Sequence, residues 1–126
     1  MRHNEDAEQE IVFQWASYHK ELRWMHSVPN GGKRDPREAA RLKKQGQTNG
    51  VSDIFLPRPT ESSEGLSDTG YHGLYIEMKR RKKDGPSKVS KSQRDFQEYA
   101  TDQGYKCVVC YGADEAITAI KEYLML

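Results

Sequence analysis

The stretch that most constrains this chain is Gly73-Leu74-Tyr75-Ile76-Glu77-Met78-Lys79, taken with Gly50-Val51-Ser52-Asp53 upstream. Side chains alternate between the faces of a strand, so Tyr75, Glu77 and Lys79 share one side and Leu74, Ile76 and Met78 the other. The apolar setting is that of a central strand, where an acid and an amine are costly unless they have a task or partners. Asp is a poor strand former too, so Asp53 within the run Val51 to Pro57 also needs a reason.

A chain of 126 residues fits one domain, residues 1–126, with a real but modest core. The apolar share is 35% and the charged share 31%, which describes a heavily solvated surface. No apolar run approaches the ~18 residues of a spanning helix, and no signal peptide is evident, so a cytoplasmic protein with no membrane partner is expected. Cys107 and Cys110 fall on opposite faces of a strand-like run, which fits buried thiols in a reducing compartment better than a disulfide or a zinc site. Net charge is only +1, yet charge is segregated. Asn4 to Glu10 is acidic, whereas Lys33-Arg34, Arg41 to Lys44 and Lys79 to Lys83 are basic. Such segregation suits a protein that sets one basic surface against phosphates.

The periodicity predicts a helix over residues 5–20, with Ile11, Val12, Trp15, Ala16 and His19 on its apolar face. Projecting that face back from Val12 reaches Glu8 and, a turn earlier, Glu5, of which Glu8 is favoured as the acid near the core. A strand over 22–28 follows, then the breaker Pro29-Asn30-Gly31-Gly32, after which Lys33 and Arg34 form a basic loop able to approach a phosphate backbone. Asp35 and Pro36 start a second, solvent-facing helix that stops near Gly46. Next come a strand over 51–57, a polar and mobile hairpin connection over 58–71, and the central strand. A basic loop over 80–88 leads to a helix capped by Ser90 or Ser92, a strand over 105–111 and a helix over 113–126. The order αβαββαβα implies an α/β fold, a mixed four-stranded sheet flanked by helices.

Asp53 and Glu77, on neighbouring strands, are hard oxygen donors of the kind Mg²⁺ or Mn²⁺ takes. The backbone carbonyl of Met78 would add a further ligand, and Glu8 would complete the shell or hold a second ion. Lys79 would orient or help deprotonate a water and offset charge developing at phosphorus. The blander reading is a Glu77–Lys79 salt bridge with Asp53 capping a turn, since an isolated Glu-x-Lys is common and surface pairs contribute little. Placement in an apolar strand after a Gly-x-x-Asp strand favours the site.

The same residues carry a family resemblance. Glu8-Gln9 and Trp15, Pro29 to Arg34, Ala40-Arg41-Leu42-Lys43, Gly50-Val51-Ser52-Asp53-Ile54, Tyr71 to Lys79, Gln93 and Gly104-Tyr105 together resemble the virus-type replication-repair nucleases, VRR-NUC, a branch of the PD-(D/E)XK superfamily. One departure is Ser52, where the family usually has proline. The resemblance implies a restriction-endonuclease-like core, metal-dependent phosphodiester hydrolysis and a DNA substrate. It implies Asp53, Glu77 and Lys79 as the catalytic set, Glu8 as the helix acid, and Gln93 as a polar support for Lys79 or the attacking water. Lys33, Arg34, Arg80, Arg81, Lys82 and Lys83 are the expected DNA contacts. Stand-alone members resemble Holliday-junction resolvases, which implies a homodimer acting on four-way junctions, of phage or bacterial origin. The apolar end of the last helix, from Ile117 to Leu126, is the candidate dimer face. A monomeric flap or nonspecific nuclease and an inactive DNA-binding module remain the alternatives.

Overall fold

The computed structural model describes residues 4–29, 35–61 and 70–125. Its elements are α1 (Asn4–Ala16), β1 (His26–Ser27), α2 (Pro36–Lys44), β2 (Ile54–Leu56), β3 (Leu74–Lys79), α3 (Lys91–Asp102), β4 (Lys106–Tyr111) and α4 (Ala113–Leu124). Short 3-10 turns occupy Lys20–Leu22 and Lys82–Asp84. The strands form one sheet in the order β1-β2-β3-β4. β2 runs antiparallel to β1 and β3, while β4 runs parallel to β3, so the sheet is mixed as expected. A parallel pair needs a crossover, and α3 supplies it.

β3 is buried on both faces, as its sequence demands. Leu74, Ile76 and Met78 are fully buried in a core with Val12 and Ala16 of α1 and Ala116 and Ile120 of α4. Each such side chain removed from water stabilises the fold by about 1.5–3 kcal/mol before entropic costs. On the opposite face α3 closes over the strand, with the Phe96 ring edge-on to Tyr75 at a centroid distance of 5.0 Å.

Several boundaries differ from the periodicity. α1 ends at Ala16 because the N–H groups of Tyr18 and His19 bond back three residues, to the carbonyls of Trp15 and Ala16, which tightens the last turn. The strand expected over 22–28 shrinks to His26–Ser27: Leu22 and Met25 are both buried from a turn, and Trp24 is 70% exposed. Ile11, placed on the apolar face by spacing, is 45% exposed. β2 is only three residues long and begins after Asp53. In the 58–71 connection, the Thr60 N–H donates to the Tyr71 carbonyl at 2.9 Å and the Tyr71 N–H to Thr60 Oγ1 at 2.7 Å, a clasp at its base. Among the described residues, no helix is long and apolar enough to cross a membrane.

Candidate active site

Ile54 pairs with Ile76, so continuing that register by one residue sets Asp53 opposite Glu77. Asp53 sits at the bend before β2. Its carbonyl accepts from the Val28 N–H at 2.7 Å, and its Oδ2 accepts from the Met78 N–H at 2.7 Å. The carboxylate thereby satisfies a β3 backbone donor that the short β2 does not reach, which is the reason an acid is tolerated there. Gly50 lets this segment pass beneath α3: at φ +92°, an added Cβ would lie 2.3 Å from the Ser92 carbonyl oxygen.

Glu77 is 1% exposed. Its Oε2 accepts from Gln93 Nε2 at 3.1 Å and lies 3.8 Å from Lys79 Nζ. Its Oε1 is buried and, among the described residues, meets no hydrogen-bond donor. The Asp53 carboxylate beside it becomes a partner only when Glu77 carries a proton. Burial first, then the charge of Asp53 and the hydrogen bond a protonated Glu77 makes to it, push the Glu77 carboxyl up to about 8, while Lys79 pulls the other way. Lys79 is itself buried and donates from Nζ to Gln93 Oε1 at 3.1 Å.

Gln93 is held by local helix physics. Ser90 caps α3, its Oγ accepting from the Gln93 N–H at 3.2 Å, and the Ser90 N–H donates back to Gln93 Oε1 at 2.9 Å. This reciprocal cap pins the amide. One side chain therefore joins a helix start, a buried acid and a buried amine.

Two carboxylates pressed together, with a buried oxygen that faces no donor, require either a proton or a cation between them. The donor set is all oxygen, which fits a hard divalent ion. Among the described residues, no three side chains of the His, Cys, Asp and Glu types converge tightly enough to hold an ion unaided. The fit is thus to an ion that keeps several waters and adds a backbone carbonyl, as Mg²⁺ does.

Glu8 is not brought to this cluster. Its Oε1 accepts from the Ala113 N–H at 2.8 Å, and its Oε2 lies 4.0 Å from Arg81 Nε. α4 begins after Gly112, which has no side chain to cap it, so the acid from α1 does so and also suits the helix dipole. Glu5, one turn earlier on the same helix, is the α1 acid whose charge raises the Glu77 carboxyl. Its signal lay in the shared helix face, but the demand of α4 for a cap was invisible there.

The basic run after β3 divides. Arg80 donates to the carbonyls of Gly85 and Pro86, and Arg81 is bidentate to Asp84 at 2.8 and 3.1 Å, so both brace their own loop. Lys82 stands 5.1 Å over the Tyr111 ring and, like Lys83, is exposed. Lys33 and Arg34 lie outside the described residues. Ser52 is fully buried and its hydroxyl has no partner among the described residues.

A family model for the VRR-NUC domain matches residues 3–114. The chain belongs to the VRR-NUC family. A solved structure described as a VRR_NUC domain protein superposes with a TM-score of 0.77 at 27% identity, covering 100% of this chain and 92% of that one. Among curated proteins, no sequence matches. A VRR-NUC domain is a nuclease domain, so the activity is of nuclease type and DNA is its substrate. PD-(D/E)XK nuclease domains in general use divalent metals.

Proposed function

We propose that this VRR-NUC protein is a Mg²⁺- or Mn²⁺-dependent endodeoxyribonuclease that cuts branched DNA, four-way junctions above all, as a homodimer. The observation that supports it most is Glu77, which lies beside the Asp53 charge with a buried Oε1 that meets no donor among the described residues, while Oε2 is tied through Gln93 to Lys79. A divalent ion bound there supplies Lewis acidity at the scissile phosphate and lowers the pKa of water. Asp53, Glu77 and the Met78 carbonyl are its protein ligands, and Glu5 rather than Glu8 is the α1 acid nearest the work. Lys79 holds and orients the attacking water. Its oxygen forms a bond to phosphorus, the bond to the departing strand's oxygen breaks, and a proton ends on that oxygen. The Lys79 charge offsets the negative charge that builds on the phosphoryl group. Gln93 keeps amine and acid in register.

Lys33, Arg34, Lys82 and Lys83 contact phosphates. Two symmetric cuts need two sites, hence a dimer. The end of α4 is its proposed contact, where Leu124 is half-buried and Met125 is 90% exposed. Leu126 lies outside the described residues. Both thiols are free, which suits the reducing cytoplasm of a bacterial or phage-infected cell.

The test is cleavage of a labelled four-way junction and of linear duplex, with Mg²⁺ or Mn²⁺, by wild type and Lys79→Ala. Paired nicks in the junction that vanish in the variant are expected. Loss of all metal-dependent cleavage in the wild type would overturn the enzyme and leave a binding module. Flap cutting by a monomer would replace the junction reading.

A further inference from the structure

Among the described α-helices, α2 is the one whose burial does not account for its presence. Among the described residues it fully buries no side chain, with Ala39 and Leu42 only half-buried, whereas α1, α3 and α4 each fully bury at least one. A nine-residue helix is marginal on its own, even with Asp35 accepting from the Arg37 N–H and Pro36 at the first turn. It carries four basic residues, Arg37, Arg41, Lys43 and Lys44, against the single acid Glu38. Arg37, Arg41 and Lys44 are all exposed and, at spacings of four and three, form one stripe. At ~1.5 Å per residue the stripe extends roughly 10 Å along the axis. Arg41 pairs with Glu38 at 3.7 Å, and both groups are exposed, so this pair holds the guanidinium weakly.

The root of this helix is at the candidate active site. The chain leaves the sheet at Val28, whose N–H donates to the Asp53 carbonyl, and returns through Gly50 to Asp53 itself. Gln47 Nε2 donates to the Pro29 carbonyl at 3.4 Å, closing the neck of the excursion. A cationic helix with no fully buried side chain thus belongs to an excursion whose two feet, Val28 and Asp53, meet at a carboxylate of the cluster.

We infer that α2 is a phosphate clamp: Arg37, Arg41 and Lys44 lie along the DNA backbone next to the strand being cut. The inference rests on the nuclease reading for its ligand but not on catalysis. Phosphate contacts of this kind are sequence-independent and fix where the duplex sits, which makes them strongly dependent on salt.

Binding of a labelled four-way junction is measured in EDTA over a range of salt, for wild type, for Arg37→Ala/Arg41→Ala/Lys44→Ala, and for Lys20→Ala/Lys106→Ala/Lys121→Ala. The last has the same charge change on other elements. The α2 variant is expected to lower the slope of log K against log salt by about 0.9 per contact, two to three in all. Its deficit against wild type then widens about eightfold per contact for each tenfold dilution of salt. The control variant should keep the wild-type slope. Because Arg37, Arg41 and Lys44 are all exposed, thermal midpoints should not move.

An unchanged slope in the α2 variant overturns the clamp, as does an equal loss of slope in the control. A shift of oligomeric state in sedimentation at an unchanged slope makes α2 a protein contact instead, and absence of DNA binding by the wild type also overturns the inference. A protein that binds with the expected slopes yet cuts nothing refutes the nuclease reading alone.

Discussion

The two faces of β3 obey opposite rules. Leu74, Ile76 and Met78 point into an apolar core that holds no charged side chain, and their burial stabilises the fold. Glu77 and Lys79, one residue out of phase, are as deeply buried but in contact with Asp53 and Gln93, and Glu77 is held against its own preference for water. The same backbone thus builds stability on one side and stores an electrostatic cost on the other. Burial alone does not separate the two kinds of residue; partner chemistry does.

That contrast breaks down if variants on the two faces behave alike. Lys79→Ala and Glu77→Gln should each lower cleavage by roughly 10²–10³ or more, the scale for losing one group that meets developing charge. Glu77→Gln should raise the thermal midpoint of metal-free protein, because a neutral amide relieves the pressed carboxylates; a lowered midpoint would make Glu77 a structural residue. Ile76→Ala should do the reverse, costing about 2–5 kcal/mol of stability in denaturant titrations while leaving turnover per folded molecule nearly intact. Turnover per folded molecule falling as far as in Lys79→Ala would show that the core face also sets the catalytic geometry.

Gln93→Ala is intermediate. It removes a group that orients two others, so roughly 10–100-fold in activity or metal affinity is expected. It also removes half of a helix cap, so a modest stability loss should accompany that effect. Gln93→Glu should not restore activity, since a carboxylate has no N–H to give Glu77.

Titration sharpens the same comparison. The Glu77 carboxyl is raised in the folded protein to about 8, above its unfolded value of 4.5, so the folded state holds a proton that the unfolded chain releases. The metal-free protein should therefore lose stability as pH rises from 4.5 to about 8 and level off beyond. Metal binding must expel that proton, so apparent affinity, read by calorimetry, should climb about tenfold per pH unit below that point. A pH-independent affinity would remove Glu77 from the metal site.

The smallest effect concerns the thiols. In the parallel register Cys107 pairs with Tyr75 and Cys110 with Met78, one on each face. Burial pushes the Cys110 thiol up to about 12 and raises Cys107 as well. Cys107, half-buried, should react slowly with a maleimide and Cys110 only on unfolding.

Much of this was legible in the chain. Period-two alternation in an apolar run identified β3 and its odd acid and amine, and the Ser90-to-Gln93 spacing held a helix cap. Helix and strand order also follow from local pattern, since caps, glycines and periodicity act over a few residues. Boundaries were less legible where a turn imitates alternation, as between Leu22 and Met25. The α1 acids were ambiguous because Glu5 and Glu8 share a face, and the choice between them depends on what a distant helix lacks.

The sequence by itself determined that an acid and an amine would stand together on a buried strand, because strand geometry leaves alternate side chains no other arrangement. Only the tertiary structure decided the rest. It paired Asp53 with the Met78 N–H across 25 positions, placed Gln93 between Glu77 and Lys79, turned Glu8 away to cap α4, and folded Arg80 and Arg81 back onto their own loop. Those outcomes follow from which backbone donors and acceptors are left unsatisfied when elements meet, a quantity that no local stretch of residues contains.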